Sequence, residues 1–327
     1  MRNAAITVTR TAARSLSFRA AASVALLGLV FLQVDWRTAG ERVAGSEWPW
    51  FAAAVCLVEA AFLVGAVRWY WLLRGAGVEL SFGPALRAYM IGMFSNNFLP
   101  TGFGGDATRA LIVGRSGSRL IRVATSVLTD RLTSVGCLVI LAWIALAVHV
   151  EAMPGRLVAG LLAVTLLGGA ASAGAALLVW RGGRFARSLP APLRKWAGDV
   201  RATLALYARQ GALLTSTIVL GLAFQALTVA AMWLLARALG LDLPFALLAT
   251  VVPMVLVATV LPISLAGFGV REGSYVILLG TAGVSATDAT LLSLMMAATL
   301  AVASAVGAVP LVLRGVEPAP TAGMARD

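Results

Sequence analysis

The 327-residue chain is 60% hydrophobic and only 12% charged, which excludes an ordinary soluble domain, because soluble proteins contain about 25% charged residues. Its mean hydropathy is +0.91, and several apolar stretches approach the ~17–25 residues that cross a bilayer, so the composition predicts a multi-pass membrane protein. The net charge of +12 is clustered between apolar stretches, which is typical of positive-inside topology and argues against nucleic acid as a partner.

The first two predicted spans cover residues 18–34 and 48–73, and a polar link without basic excess joins them on the outside. Four arginines precede the apolar run at residues 20–34, and no clear cleavage site follows that run. We therefore expect an uncleaved first helix and a cytoplasmic N-terminus.

Residues 84–115 form the first interrupted element. Its apolar stretch is short for a crossing and stops at Leu99-Pro100, where a glycine-rich turn begins. Arginines lie on both sides of the element, which predicts a re-entrant hairpin that enters from the cytoplasm. Irregular backbone is tolerated in a bilayer only against protein or a wet cavity, so the turn predicts such a cavity.

Further spans are predicted at residues 132–150, 156–180 and 212–235. The segment 182–210 carries apolar side chains at helical spacing, with most of its basic residues off that stripe. This pattern predicts a cytoplasmic amphipathic helix on the inner leaflet.

Residues 244–280 form the second interrupted element. Pro253 and Pro262 interrupt it, and residues 267–269 make a glycine-containing turn. The flanking links have no basic excess, so this hairpin is expected to enter from the outside. The last span, at residues 289–313, returns the chain to the cytoplasm.

The predicted fold is thus an all-α polytopic membrane protein with six transmembrane helices and two re-entrant hairpins that enter from opposite faces. Residues 1–315 form a single integral membrane domain, and residues 316–327 form a short C-terminal tail. Matched Gly/Pro-broken segments in two halves of a transporter point to its substrate site, and opposite entry is what an inverted repeat would give.

The candidate substrate-binding residues lie at the two breaks and at the start of the third span. They are Asn96, Asn97, Gly104, Gly105, Asp106, Arg109, Asp130, Arg131, Gly267, Gly269, Arg271 and Glu272. A glycine-rich helix start attracts anions, and a neighbouring arginine adds bidentate recognition of phosphate. The pattern therefore predicts a membrane lipid with an anionic headgroup as the ligand.

Structural explanations stay open for the same residues. Asp106 and Arg109 share one helical face, but Asp106 can also cap a helix start. Asn96 and Asn97 can bind headgroup atoms or satisfy broken backbone. A charge at the bilayer centre costs about 2.5–3.5 kcal/mol, so Glu59, in the middle of the second span, needs a partner or a proton.

Catalytic machinery is not indicated by any motif in the sequence. Two separated cysteines and one histidine do not make a Cys/His zinc site, and nucleophile-elbow, P-loop and dinucleotide motifs are absent. We therefore expect no catalytic residue, no metal and no cofactor.

The chain resembles the lysylphosphatidylglycerol synthase transmembrane family, also called flippase-like membrane proteins. The resemblance covers roughly residues 15–315 and is carried by three blocks: residues 97–110, the Asp130-Arg131 pair, where the family usually has Glu-Arg, and residues 262–272. It implies an integral inner-membrane protein that moves lipids or lipid-linked groups between leaflets. The soluble aminoacyltransferase domain of bifunctional members is expected to be absent.

Three hypotheses for function follow. The first is translocation of a phospholipid or lipid-linked intermediate, with Arg109 and Arg271 on the phosphate and with Asp106 and Glu272 orienting the arginines or exchanging protons. The second is a membrane-embedded transferase that acts on a lipid carrier. The third is a non-catalytic subunit whose basic inner face docks a separate cytoplasmic synthase.

Overall fold

The structure is a computed structural model that describes residues 21–98, 104–114, 116–149, 155–156, 158–163, 165–166, 168, 191–260, 264 and 267–309. Within those ranges the regular structure is entirely helical. The labelled helices are α1 (Ala21–Phe31), α2 (Trp36–Ala44), α3 (Trp48–Gly75), α4 (Phe82–Phe98), α5 (Gly104–Gly114), α6 (Gly117–His149), α7 (Ala191–Ala208), α8 (Gly211–Ala238), α9 (Phe245–Val260), α10 (Val270–Gly280) and α11 (Ala286–Ala305).

In the described part of the chain, four helices are long and apolar enough to cross a membrane: α3, α6, α8 and α11. The bent pair of α1 and α2 gives a fifth if it counts as one span. In the order given, these helices overlap the predicted second, third, fifth, last and first spans. Of the predicted fourth span at 156–180, the described residues extend only to 168 and are helical.

Two of the span predictions differ from the observed helices. The link after the first span contains α2, which meets α1 at 82° because the Asp35 carboxylate caps it by accepting from the amides of Arg37 and Thr38 at 3.0 and 3.3 Å. Helix α6 begins at Gly117 rather than at residue 132, since its polar first turns continue the helix beyond the apolar stretch that composition detects.

The amphipathic prediction at 182–210 corresponds to α7, and residues 182–190 lie outside the described ranges. At the C-terminal end of α7, the apolar side of the helix packs against the rest of the protein. Tyr207 is buried and donates a hydrogen bond from its hydroxyl to the Leu72 carbonyl oxygen at 2.8 Å, which ties α7 to the end of α3.

Each interrupted element consists of two helices, and the interruption between them lies where the sequence predicts it. Helices α4 and α5 flank residues 99–103, and α9 and α10 flank residues 261–269. Most of the residues between the helices, including Pro100 and Pro262, lie outside the described part of the chain.

Helices α4 and α5 pack with their backbones in close approach at Gly92 and Gly105. A Cβ atom on Gly105 would overlap the Gly92 carbonyl oxygen and the Asn96 side chain. Glycine is therefore required here by space, and this contact holds Asp106 and Arg109 at a fixed position against the first arm.

We expect Gly105→Ala to lower the free energy of unfolding by about 1–3 kcal/mol, because overpacking forces the two arms apart. The matched control is Gly136→Ala in α6, where an added Cβ would have no neighbour within 4 Å. Thermal unfolding of both variants in detergent micelles measures the difference. Equal midpoints for the two variants would show that the close approach of α4 and α5 is not required.

Candidate functional site

Five charged side chains from three helices form one continuous cluster, which we call the arginine–aspartate cluster. It is composed of Arg68 of α3, Asp106 and Arg109 of α5, and Asp130 and Arg131 of α6. All are buried except Arg131, whose side chain is 43% exposed. These residues come from three separate helices, and the packing of α5 against α6 and of α6 against α3 brings them together.

Asp130 bridges two buried arginines. Its Oδ1 accepts from Arg68 Nε at 2.8 Å and lies 2.7 Å from Arg68 Nη2, while its Oδ2 accepts from Arg109 Nη2 at 3.0 Å. Charge-assisted hydrogen bonds of this length are the strong ones in proteins, and each carboxylate oxygen is used. Asp130 therefore joins α3 and α5 through α6.

Asp106 bridges the next two members. Its Oδ1 lies 3.2 Å from Arg109 Nε and 3.0 Å from Arg109 Nη2, and its Oδ2 accepts from Arg131 Nε at 2.6 Å. Three arginines and two aspartates give the cluster a net charge of +1 when all five are ionised. The excess positive charge reaches the surface through Arg131.

Aromatic rings enclose the buried arginines. The Arg109 guanidinium carbon lies 4.9 Å from the ring centroid of Trp69 and 5.2 Å from that of Tyr89, and Arg68 lies 5.7 Å from Phe224. Such cation–π contacts favour a retained positive charge in a desolvated site. Within the described ranges of the chain, the buried Nη1 atoms of Arg68 and Arg109 have no hydrogen-bond partner, so the cluster still has unused donors.

The hydrogen bonds at the first break distinguish between the alternative roles that the sequence leaves open for its polar residues. Gly105 donates its amide to Asn96 Oδ1 at 2.9 Å, so Asn96 rather than Asp106 satisfies the start of α5. Asn97 donates to the Leu300 carbonyl oxygen of α11 at 3.1 Å. Both asparagines thus bond to protein backbone in this state.

The second break is organised around Glu272, which is fully buried at the start of α10. Its Oε2 accepts from the Gly269 amide at 2.7 Å, and its Oε1 accepts from Arg271 Nη2 and Nε at 2.6 and 2.9 Å. Gly269 has φ +82°, a left-handed conformation that glycine adopts without strain. Gly267, two residues earlier in the same turn, also has a left-handed backbone conformation, with φ +81°.

One face of α11 contacts both breaks. Ser293 donates from its hydroxyl to Glu272 Oε1 at 3.4 Å, and Leu300 accepts from Asn97. Residues seven positions apart lie on the same face of an α-helix, about 10.5 Å apart along its axis. The two breaks are therefore brought close to each other along α11, although more than 160 residues separate Asn97 from Glu272 in the sequence.

Sequence reasoning predicts that Arg109 contacts the ligand, but in the structure Arg109 is only 1% exposed and lies between two aspartates. The accessible arginine beside the first break is instead Arg131. Arg271 is 18% exposed at the second break. Sequence reasoning missed Ser293 as a member of these networks, and it left Arg68 open between a paired charge and an interfacial arginine. The available signal for Arg68 was an arginine within an apolar span, which requires a buried partner or an interface.

Comparison with known proteins shows similarity to membrane proteins. The family model described as the lysylphosphatidylglycerol synthase TM region matches residues 16–313. A UPF0104 membrane protein of Pyrococcus horikoshii is 28% identical over 119 residues, which are 35% of this chain and 36% of that protein. The chain thus matches about a third of the length of this curated relative.

Proposed function

Because the chain belongs to the lysylphosphatidylglycerol synthase TM region family, we propose that it moves a phospholipid or a lipid-linked envelope intermediate between the two leaflets of the inner membrane. The observation that carries the proposal is the arginine–aspartate cluster, with its net positive charge and its half-exposed Arg131 beside the first break. A lipid phosphate is the anion that a protein within a bilayer meets most often.

The proposed topology consists of six transmembrane helices and two re-entrant hairpins, α4–α5 from the cytoplasm and α9–α10 from the outside, in one integral domain at residues 1–315. Both termini are cytoplasmic. Support comes from the basic residues around the first element and from the contacts of both breaks with α11. Broken helices near the middle of a membrane are typical of transporter substrate sites.

In the proposed mechanism, the phosphate binds Arg131 first and competes with Asp106 for its guanidinium group. Asp106 remains held by Arg109, so the cluster stays intact while one of its donors is shared with the ligand. Arg271 offers a second contact at the other break, where Glu272 orients it. The acyl chains remain in the bilayer throughout.

The amide groups at the two helix starts have a supporting role in this proposal. Those of Gly105 and Gly269 already donate to Asn96 and Glu272, so an anion reaches them only by displacing a side chain. We therefore place the primary phosphate contact on the arginine side chains. Asn96, Asn97, Gly104 and Gly267 shape the breaks that position those arginines.

The test is a transport assay with the purified full chain in phospholipid vesicles that contain a fluorescent phosphatidylglycerol. We expect protein-dependent exchange of the fluorescent lipid between leaflets, measured by quenching the outer leaflet with a membrane-impermeant reagent. Protein-free vesicles and vesicles with an unrelated helical membrane protein are the controls. Exchange no faster than in the controls, or exchange only after a soluble synthase is added, would contradict the proposal.

A further inference from the structure

Glu59 lies near the middle of the membrane-spanning helix α3. It follows Trp48, the first residue of α3, by eleven positions, which corresponds to about 16 Å along the helix. The hydrocarbon core of a bilayer is about 30 Å thick, and tryptophans such as Trp48 and Trp50 favour its interface. The carboxyl group of Glu59 is therefore at the depth of the bilayer centre.

The face of α3 that carries Glu59 points away from the protein. Ala52, Cys56 and Leu63, which precede and follow Glu59 at helical spacing, are all exposed, and Glu59 itself is partly exposed. The neighbouring helices instead cover a different face, on which Val58 and Phe62 are buried. Glu59 thus faces the lipid hydrocarbon rather than the cluster at Asp130.

Within the described part of the chain, no side chain forms a hydrogen bond or an ion pair with Glu59. Helix α8, which packs along α3, has Arg237 in its last turn as its only charged residue, and α11 has only Asp288, which pairs with Arg42. The Arg68–Asp130 pair is nine residues, or about 13 Å, further along α3. Among the side chains that the structure describes, the other titratable groups of the packed helices and of the neighbouring turns of α3 are Cys56, Tyr70, Arg87, Tyr89, Arg119, Arg122, Arg131 and Cys137.

We propose that Glu59 is a proton-binding carboxyl group that faces the lipid and is protonated in the resting protein. An ionised carboxylate without a partner is strongly disfavoured at the bilayer centre, so the group takes up one proton from water and holds it. This site is separate from the arginine–aspartate cluster. It does not depend on the proposed lipid transport.

The test is chemical labelling of the full chain in phosphatidylcholine vesicles with two carbodiimides, in mildly acidic buffer so that exposed glutamates are also partly in the protonated form that carbodiimides activate. Dicyclohexylcarbodiimide partitions into the bilayer, whereas a water-soluble carbodiimide does not. We expect mass spectrometry to find the hydrophobic reagent on Glu59 and the water-soluble reagent on Glu47 and Glu79, which are exposed at the two ends of this region. The adduct is lost in Glu59→Gln.

A second measurement separates a protonated group from an ionised one. Glutamine resembles neutral glutamic acid, so Glu59→Gln is expected to keep the yield and the thermal midpoint of the original protein, while Glu59→Lys lowers both. Absence of the hydrophobic adduct from folded protein, or preferential labelling of Glu59 by the water-soluble reagent, would overturn the proposal. A lower midpoint in Glu59→Gln would also overturn it, because it would indicate a paired carboxylate.

Discussion

Asp130→Asn is expected to lower the free energy of unfolding by about 3–5 kcal/mol, since removing one partner of a buried ion pair leaves uncompensated buried charge. Asp130 holds both Arg68 and Arg109, and those two guanidinium groups are buried. Asparagine keeps the shape of the side chain but removes its charge. The remaining aspartate, Asp106, cannot reach across to α3 in its place, because both of its oxygens already contact Arg109 and Arg131.

The matched control for this variant is Asp242→Asn. Asp242 also pairs with an arginine, Arg237, at 3.1 Å, but its side chain is 88% exposed. A solvent-exposed pair contributes about 0–1 kcal/mol, so we expect little change in this control. Thermal unfolding in detergent micelles compares the two variants, and similar midpoints would show that the cluster does not stabilise the packing of α3, α5 and α6.

Arg131→Ala is expected to reduce lipid exchange roughly 10- to 100-fold at limiting lipid, because a hydrogen bond to a charged group contributes about 1.5–3 kcal/mol. Because the Arg131 side chain is half-exposed, we expect the substitution to weaken ligand binding more than it lowers the free energy of unfolding. Arg131→Lys retains the charge but not the planar fork of donors, so we expect partial activity. The vesicle assay with fluorescent phosphatidylglycerol measures both variants.

Two controls accompany the Arg131 variants. Arg201→Ala removes an exposed arginine of α7 that takes no part in the cluster, and its exchange rate is expected to match that of the original protein. Thermal midpoints show whether Arg131→Ala remains folded. A folded Arg131→Ala protein with an unchanged exchange rate would exclude Arg131 from lipid recognition.

The positions of the two breaks could be predicted from sequence because proline and glycine act locally. Leu99-Pro100 and the glycines near residues 104 and 267 interrupt apolar stretches, and helices end and restart at these places. The start of α6 was predicted less well. Hydropathy detects the membrane-embedded part of a helix, whereas the polar residues from Gly117 onward extend it outside that part.

The membership of the cluster could not be predicted in full, because it depends on tertiary packing. Spacing indicated that Asp106 and Arg109 share a face, and the structure pairs them. Spacing could not indicate that this face turns toward Trp69 and Asp130, nor that Arg68, 62 residues before Asp130, supplies the third helix. For the same reason, burial of Arg109 and exposure of Arg131 follow only from the packed helices.

The most direct test of the central claim is a solid-state NMR measurement of dipolar coupling between lipid phosphorus and arginine guanidinium nitrogen. The protein is labelled with ¹⁵N-arginine and reconstituted in phosphatidylglycerol. We predict a phosphorus contact with guanidinium groups that is reduced in Arg131→Ala, where the contact of Arg271 remains, and is unchanged in Arg201→Ala. A phosphorus contact that is unchanged by Arg131→Ala would contradict the assignment of the lipid phosphate to the exposed end of the cluster.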